Sequence, residues 1–287
     1  MKLVMFGADE RDASPGVIVD DYIIGLEVEE LSYPKSLEEI FELRLVSDIS
    51  EYIEALNIKK IKPMTLLESY IASPLSGIGK IIACGLNYKN HASEMGKPIL
   101  DSPLIFSKAN SSIAGHAEPL YLPDSSVSKS IDWEIELGVV IGATCSDVNK
   151  TDALNYVAGY TIALDITARD IQEREGQWFR AKSFDGFCPL GKYILTGDDF
   201  DLSDSIELSL SVNGEEKQRG RLDDMIFSVE EIISFTSRSM TLYPGDIILT
   251  GTPSGIGAGM NPPQFLSVGD KIKASISNLG DIEINVK

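Results

Sequence analysis

The chain has 287 residues, 43% of them hydrophobic, and a formal charge of −19 from 25 basic and 44 acidic side chains, which suits one large domain with or without a small appendage. That charge repels nucleic acid and anionic membrane surfaces, so neither is expected as a partner, and an anionic small substrate needs a local positive site. Met1 to Phe6 is too short for the apolar core of a signal peptide, no apolar run reaches the roughly 18 residues that span a bilayer, and Cys84, Cys145 and Cys188 lack metal-site spacing; a cytoplasmic protein with reduced, buried thiols is expected.

In chain order, Lys2 to Phe6, Gly16 to Val19 and Tyr22 to Val28 read as short strands around an Asp20-Asp21 turn, and Ser36 to Leu45 and Ser50 to Leu56 as short helices. This predicts a small α+β N-terminal domain over residues 1–70. Asn57 to Gly79, with its lysine-rich run and prolines, reads as a connection. Residues 71–287 are strand-rich: Ile81 to Cys84, Leu104 to Phe106, Trp133 to Ile141, Tyr160 to Ile166, Ile206 to Val212, Ile247 to Thr250, Lys271 to Ile276 and Ile282 to Val286. Asn213-Gly214 signals a hairpin. Thr151 to Tyr156 and Ser228 to Met240 are predicted helices, the second opened by a Ser228/Glu231 capping box.

Asp132 to Gly138 reads Asp-Trp-Glu-Ile-Glu-Leu-Gly, an alternation that puts carboxylates on one strand face and apolar groups on the other. Glu134 and Glu136 would project about 6–7 Å apart and repel each other unless a cation lies between them. A hard ion such as Mg2+ or Mn2+ suits such ligands; a solvated acidic face is the alternative. Asp165, at the end of an apolar strand, completes a three-carboxylate set or caps a turn. His91 and Glu94 stand at i, i+3, so the carboxylate can orient the imidazole as a general base, or the pair is a surface ion pair. Lys182 lies among aromatics and glycine in GQWFRAKSFDGFCPLG, and Lys108 follows a strand. The turn LTGTPSGIG offers backbone N–H groups and the Thr252 hydroxyl to an oxyanion, or is a tight structural turn; it lacks the Gly-Lys-Ser/Thr ending of a phosphate loop.

In order, the blocks GLNYKNHASEMG, SKANSSIAGH, DWEIELGVVIG, ALDITARDIQ, RAKSFDGFCPLG and LTGTPSGIG resemble the fumarylacetoacetate hydrolase superfamily, from about Lys80 to the C-terminus. The match is to its bacterial acylpyruvate hydrolases and 2-hydroxyhepta-2,4-diene-1,7-dioate isomerases. The resemblance implies an α+β, mostly β fold, a mixed β-roll of packed sheets. It also implies Mg2+ or Mn2+ on Glu134, Glu136 and Asp165, and a lid carrying His91 and Glu94. Lys182, Gln172 and Thr252 would line the reacting centre, with Arg169 and Lys108 toward the substrate. A homodimer acting on a small anionic oxo-acid is implied too.

The expected reaction is hydrolysis of a C–C bond in an acylpyruvate-type 1,3-dicarbonyl acid. His91 activates water, the metal stabilises the leaving pyruvate enolate, and Lys182 and Thr252 face the oxyanion. Oxaloacetate decarboxylation and hydroxy-diene-dioate isomerisation use the same centre and stay open. So does a non-catalytic protein that binds a metal-chelated dicarboxylate, although such a binder has no need of His91, Glu94 and Lys182 together. The lid, Asn87 to Leu100, is expected to be mobile, with Gly85 and Gly96 as hinges.

Overall fold

A computed structural model describes residues 1–56, 64–66, 69–77, 79–202 and 205–287. The lysine-rich run, Ile58 to Lys62, lies outside them. Three antiparallel strands open the chain, β1 (Lys2–Gly7), β2 (Ser14–Val19) and β3 (Tyr22–Gly25), followed by α1 (Leu37–Glu42) and α2 (Val46–Ala55). The Ser36 side chain caps α1 by accepting from the Glu39 N–H, while α2 starts a turn before its expected position. β4 (Met64–Thr65) and β5 (Tyr70–Ile71) lead to β6 (Ile81–Gly85), α3 (Lys89–Glu94) and β7 (Leu104–Lys108). Next come β8 (Ile113–Ala114), β9 (Ile131–Asp132), β10 (Ile135–Ile141), β11 (Val157–Leu164), β12 (Thr167–Ala168), α4 (Arg169–Glu175) and α5 (Trp178–Ala181). β13 (Cys188–Pro189), β14 (Ile194–Thr196), β15 (Glu207–Val212), β16 (Glu215–Arg221), α6 (Val229–Ser237), β17 (Ile247–Leu249), β18 (Lys271–Ile276) and β19 (Gly280–Asn285) complete the chain.

The helix expected over Thr151 to Tyr156 is a 3-10 helix. The Ser228/Glu231 capping box forms at the start of α6 as predicted. Asn213 and Gly214, with φ of 53° and 81°, close the β15–β16 hairpin in the conformation that asparagine and glycine tolerate best.

The main sheet has eleven strands in the order β4-β3-β2-β1-β14-β11-β10-β17-β6-β7, with β5 on β1. A second sheet runs β16-β15-β18-β19. Both the main sheet and its core run across residue 70. β1 pairs antiparallel with β14, and Leu3, Leu37, Ile40 and Phe41 share one apolar cluster with Val140, Ala158, Ile194 and Ile247. Cys84, Cys145 and Cys188 are free and buried, as expected. Among the described residues no helix is long and apolar enough to cross a membrane.

One expected strand is interrupted. Trp133 to Ile141 divides, with β9 ending at Asp132 and β10 beginning at Ile135. The ladder gives way because side chains take its donors: Asp132 Oδ1 accepts from the Trp133 N–H at 2.8 Å and Gln218 Oε1 from the Ile135 N–H at 3.0 Å. No solvated acidic face results, because every residue of β10 is buried. β10 is covered on both edges, by β11 and β17.

Candidate active site

The antiparallel register of β10 on β11 sets Ile135 opposite Leu164 and Glu136 opposite Ala163. Asp165 therefore leaves β11 beside Glu134, and its N–H donates to the Glu134 carbonyl at 2.9 Å. Glu134, Glu136 and Asp165 each place a carboxylate oxygen within 4.8 Å of the others, and all three are buried.

Two buried lysines and the partly buried Arg169 answer them. Lys182 Nζ donates to Glu134 Oε2 at 2.6 Å and to Asp165 Oδ2 at 2.5 Å. Lys108 Nζ donates to Asp165 Oδ1 at 2.6 Å. Arg169 donates through Nη2 to Glu134, through Nε to Asp132 at 2.8 Å and through Nη1 to Gln172 Oε1 at 3.0 Å. Asp132, Glu134, Glu136 and Asp165 thus outnumber Lys108, Arg169 and Lys182 by one charge.

Glu136 is the acid left without a cation of its own, and the Gly251 N–H donates to its Oε2 at 2.6 Å. Burial, then the charges of Asp165 and Glu134, push its carboxyl well above the usual range. Burial acts the same way on Glu134, but Arg169 and Lys182 outweigh it and hold that carboxyl well below the usual range. Burial works against the Lys182 ammonium, yet Asp165 and Glu134 raise its pKa above the ordinary value.

This donor set fits a hard divalent cation. It consists of oxygens only, they converge, and they carry negative charge that the neighbouring side chains leave partly uncompensated.

A cavity of about 80 Å3 opens over the carboxylates. His91, Arg169, Gln172, Lys182 and Thr252 line it on the polar side, and Leu86, Met95, Phe106 and Trp178 on the apolar side. His91 is buried, with Nδ1 3.3 Å from Glu94 Oε2. A larger cleft of about 1090 Å3 near Ser50, Tyr156 and Asp199 lies apart from this cluster.

Two expected roles change. Lys108 stands behind Asp165, fully buried and off the cavity wall, so it neutralises a cage carboxylate rather than reaching the substrate. The Thr252 hydroxyl donates to the Ile135 carbonyl at 2.8 Å and accepts from Gln218 Nε2 at 2.8 Å, so its proton is spent on the break in the strand rather than offered to an oxyanion.

The lid also differs from expectation at its first end. Asn87 is fully buried, donating to the carbonyls of Phe227 and Thr250 and accepting from the Phe227 N–H, so it anchors the segment. Gly85 is no hinge. A Cβ there would meet the Trp178 ring at 2.5 Å, so glycine is needed to admit the tryptophan, while the left-handed turns fall at Leu86 (φ 55°) and Gly96 (φ 61°).

Sequence reasoning passes over Gln218. It lies in the exposed-looking run EEKQRGR of β16, yet is fully buried and bonded to Ile135, Thr252 and Pro253. Only the paired register of β16 and β15 turns it inward. Trp178 belongs to GQWFRAKSFDGFCPLG, but nothing local in that stretch marks it as a cavity wall.

The model of the fumarylacetoacetate (FAA) hydrolase C-terminal region matches residues 80–287. The chain belongs to the fumarylacetoacetate hydrolase family. Its structure is similar to fumarylacetoacetate hydrolase from Exiguobacterium antarcticum, 34% identical with a TM-score of 0.86, covering 100% of this chain and 99% of that one. It is similar also to 2-hydroxyhepta-2,4-diene-1,7-dioate isomerase from Mycobacterium marinum, 30% identical with a TM-score of 0.77, covering 100% and 98%. Maleylpyruvate hydrolase from Sphingobium sp. SYK-6, in complex with manganese(II) and pyruvate, is 27% identical with a TM-score of 0.80 over 100% and 98%. Family membership, an acidic triad and hydrolase and isomerase neighbours together support an enzyme.

Proposed function

We propose that this chain is a Mg2+- or Mn2+-dependent hydrolase that cleaves a C–C bond in an acylpyruvate-type 1,3-dicarbonyl acid. The observation that carries the reading is one cavity that joins a buried three-carboxylate cluster to a histidine–glutamate pair and a buried lysine. Manganese(II) and pyruvate in the Sphingobium neighbour support it.

Glu134, Glu136 and Asp165 would hold the cation, which supplies Lewis acidity to the 2-oxo-acid end of the substrate. Together with the bound cation, Arg169 and Lys182 would supply the local positive potential that an oxo-acid needs in a protein of charge −19. His91 donates its Nδ1–H to Glu94, which leaves Nε2 as the base that takes a proton from the attacking water. Hydroxide adds to the distal carbonyl carbon, and the bond from that carbon to C3 then breaks. The electron pair stays on C3 as pyruvate enolate, and the imidazolium returns its proton there to give pyruvate and the second acid.

Decarboxylation of oxaloacetate needs the electron sink and no nucleophile, so one variant separates the two chemistries. In His91→Asn, kcat for acylpyruvate cleavage should fall on the order of 10²–10⁴-fold, the usual worth of a general base, and oxaloacetate decarboxylation should fall less. Equal losses would show that His91 positions substrate instead of activating water. We also propose a cytoplasmic homodimer, which light scattering of the full chain checks for its oligomeric part.

A further inference from the structure

We propose that Asp132, outside the ligand triad, is the positioning residue that seats the lid against the carboxylate cage. Asp132 is fully buried, and all of its accepting capacity is in use. Its Oδ1 accepts from the N–H of Trp133 at 2.8 Å and of Gly257 at 2.7 Å. Its Oδ2 accepts from the Ala258 N–H at 3.0 Å and from Arg169 Nε at 2.8 Å. A carboxylate with four donors on it has no lone pair to spare for a metal, and charge-assisted bonds of this kind hold geometry strongly when buried.

Its two sets of partners lead in opposite directions. Arg169 leads to the cage, since the same guanidinium holds Glu134 and Gln172. Gly257 and Ala258 lead to the lid, because they belong to the loop on which Glu94 rests. The Gly255 N–H donates to Glu94 Oε1 at 2.9 Å, and a Cβ on Gly259 would fall 2.5 Å from Glu94 Cδ. Glu94's other oxygen faces His91. Trp133, the next residue after Asp132, adds a second tie by donating Nε1–H to the Gly255 carbonyl at 3.1 Å.

The loop's glycines fit this seat. A Cβ at Gly257 would strike the Gln264 carbonyl oxygen at 1.9 Å and Asp132 Oδ1 at 2.8 Å, and one at Gly255, where φ is 100°, would strike the Lys217 carbonyl oxygen at 1.9 Å. Side chains there would lift the loop off Asp132 and carry Glu94 and His91 away with it.

The test compares full-length wild type, Asp132→Asn, Gly259→Ala and the double variant, with Mn2+ as the metal probe. Amide hydrogen exchange at residues 89–95, Mn2+ calorimetry, and kcat and KM are the measurements. Gly259→Ala should speed exchange at 89–95 by about tenfold or more through a weakened local closure, leave Mn2+ affinity unchanged, and lower kcat more than it changes KM. Asp132→Asn should speed the same exchange and also weaken Mn2+ by about tenfold, the size of a lost outer partner. Because both act on one seat, the double variant should exchange less fast than the product of the single effects.

Three results would overturn the proposal. One is wild-type exchange at 89–95 in Gly259→Ala. Another is a folded Asp132→Asn whose lid exchange and Mn2+ affinity match wild type. The third is faster exchange in β10 and β11 equal to that in the lid, which marks a merely structural residue. If Asp132→Asn does not fold, Gly259→Ala alone decides the seat. The exchange and Mn2+ measurements need no turnover, so they stand or fall separately from the acylpyruvate reading, on which only the kinetic comparison rests.

Discussion

The carboxylate cage and the lid opposite it are held in place by different kinds of bond. Glu136 stands on β10, paired on both edges, and Glu134 and Asp165 flank the β10–β11 ladder. Like charges that close together need a frame that cannot relax, and Lys108, Lys182 and Arg169 are set into it as fixed counter-charges. The lid carries a six-residue helix, α3, too short to be stable by itself in water. It is secured by Asn87 at its start and by the Glu94–Gly255 hydrogen bond at its end. The cage is therefore fixed by the sheet and its counter-charges, whereas the lid helix is tied down through hydrogen bonds at its two ends.

The sharpest way to break this comparison is to remove a cage acid. Asp165→Ala leaves the buried Lys108 without a carboxylate, with only the Ile166 carbonyl at 3.5 Å, and removes half of the Lys182 interaction. It should cost about 3–5 kcal/mol of unfolding free energy in a denaturant titration. A loss near zero would mean that the cage is softer than its hydrogen bonds suggest.

Glu136→Gln should separate stability from metal binding. The amide keeps an oxygen for the Gly251 N–H and removes one of three crowded like charges, so metal-free stability should not fall. Removing an anionic ligand should nonetheless weaken Mn2+ by more than about tenfold in calorimetry. Unchanged affinity would take Glu136 out of the metal site.

Oxalate, a mimic of pyruvate enolate, should protect amides of residues 89–95 by several-fold, in the range of local opening. Asn87 should be protected with or without it. Equal exchange in both states over 89–95 would count against closure.

The smallest effect belongs to neither region. Burial, and then the charge of Lys192, lower the His116 pKa to about 4, below its ordinary 6.5. The unfolded chain therefore binds the proton more readily. The stability that neutral His116 contributes is complete above pH 6.5 and is lost as pH falls toward 4. Partial exposure of the ring makes this a modest slope. His116→Gln should flatten the acid side of the Tm–pH curve, and an unchanged slope would place the acid sensitivity elsewhere.

The triad shows where sequence reading reaches its limit. Alternation in Asp-Trp-Glu-Ile-Glu puts Glu134 and Glu136 on one side of an extended segment, because that periodicity is local geometry. The Ser228/Glu231 box and the Asn213-Gly214 turn were legible for the same reason, since capping and left-handed φ depend on neighbours in sequence. The break at Trp133 was not legible. It depends on Gln218, more than eighty residues away in the chain, which reaches the Ile135 N–H through the pairing of β16 with β15.

Residue types and their order thus determined the family, the acid set and the His91–Glu94 spacing by themselves. Tertiary structure alone decided that Lys108 serves Asp165 from behind, that the Thr252 proton goes to a backbone carbonyl, and that Asn87 anchors the lid. The physical reason is that the carrying power of a charge or a hydroxyl depends on which partner reaches it first in a buried site, and those partners come from segments that meet only when the sheets close.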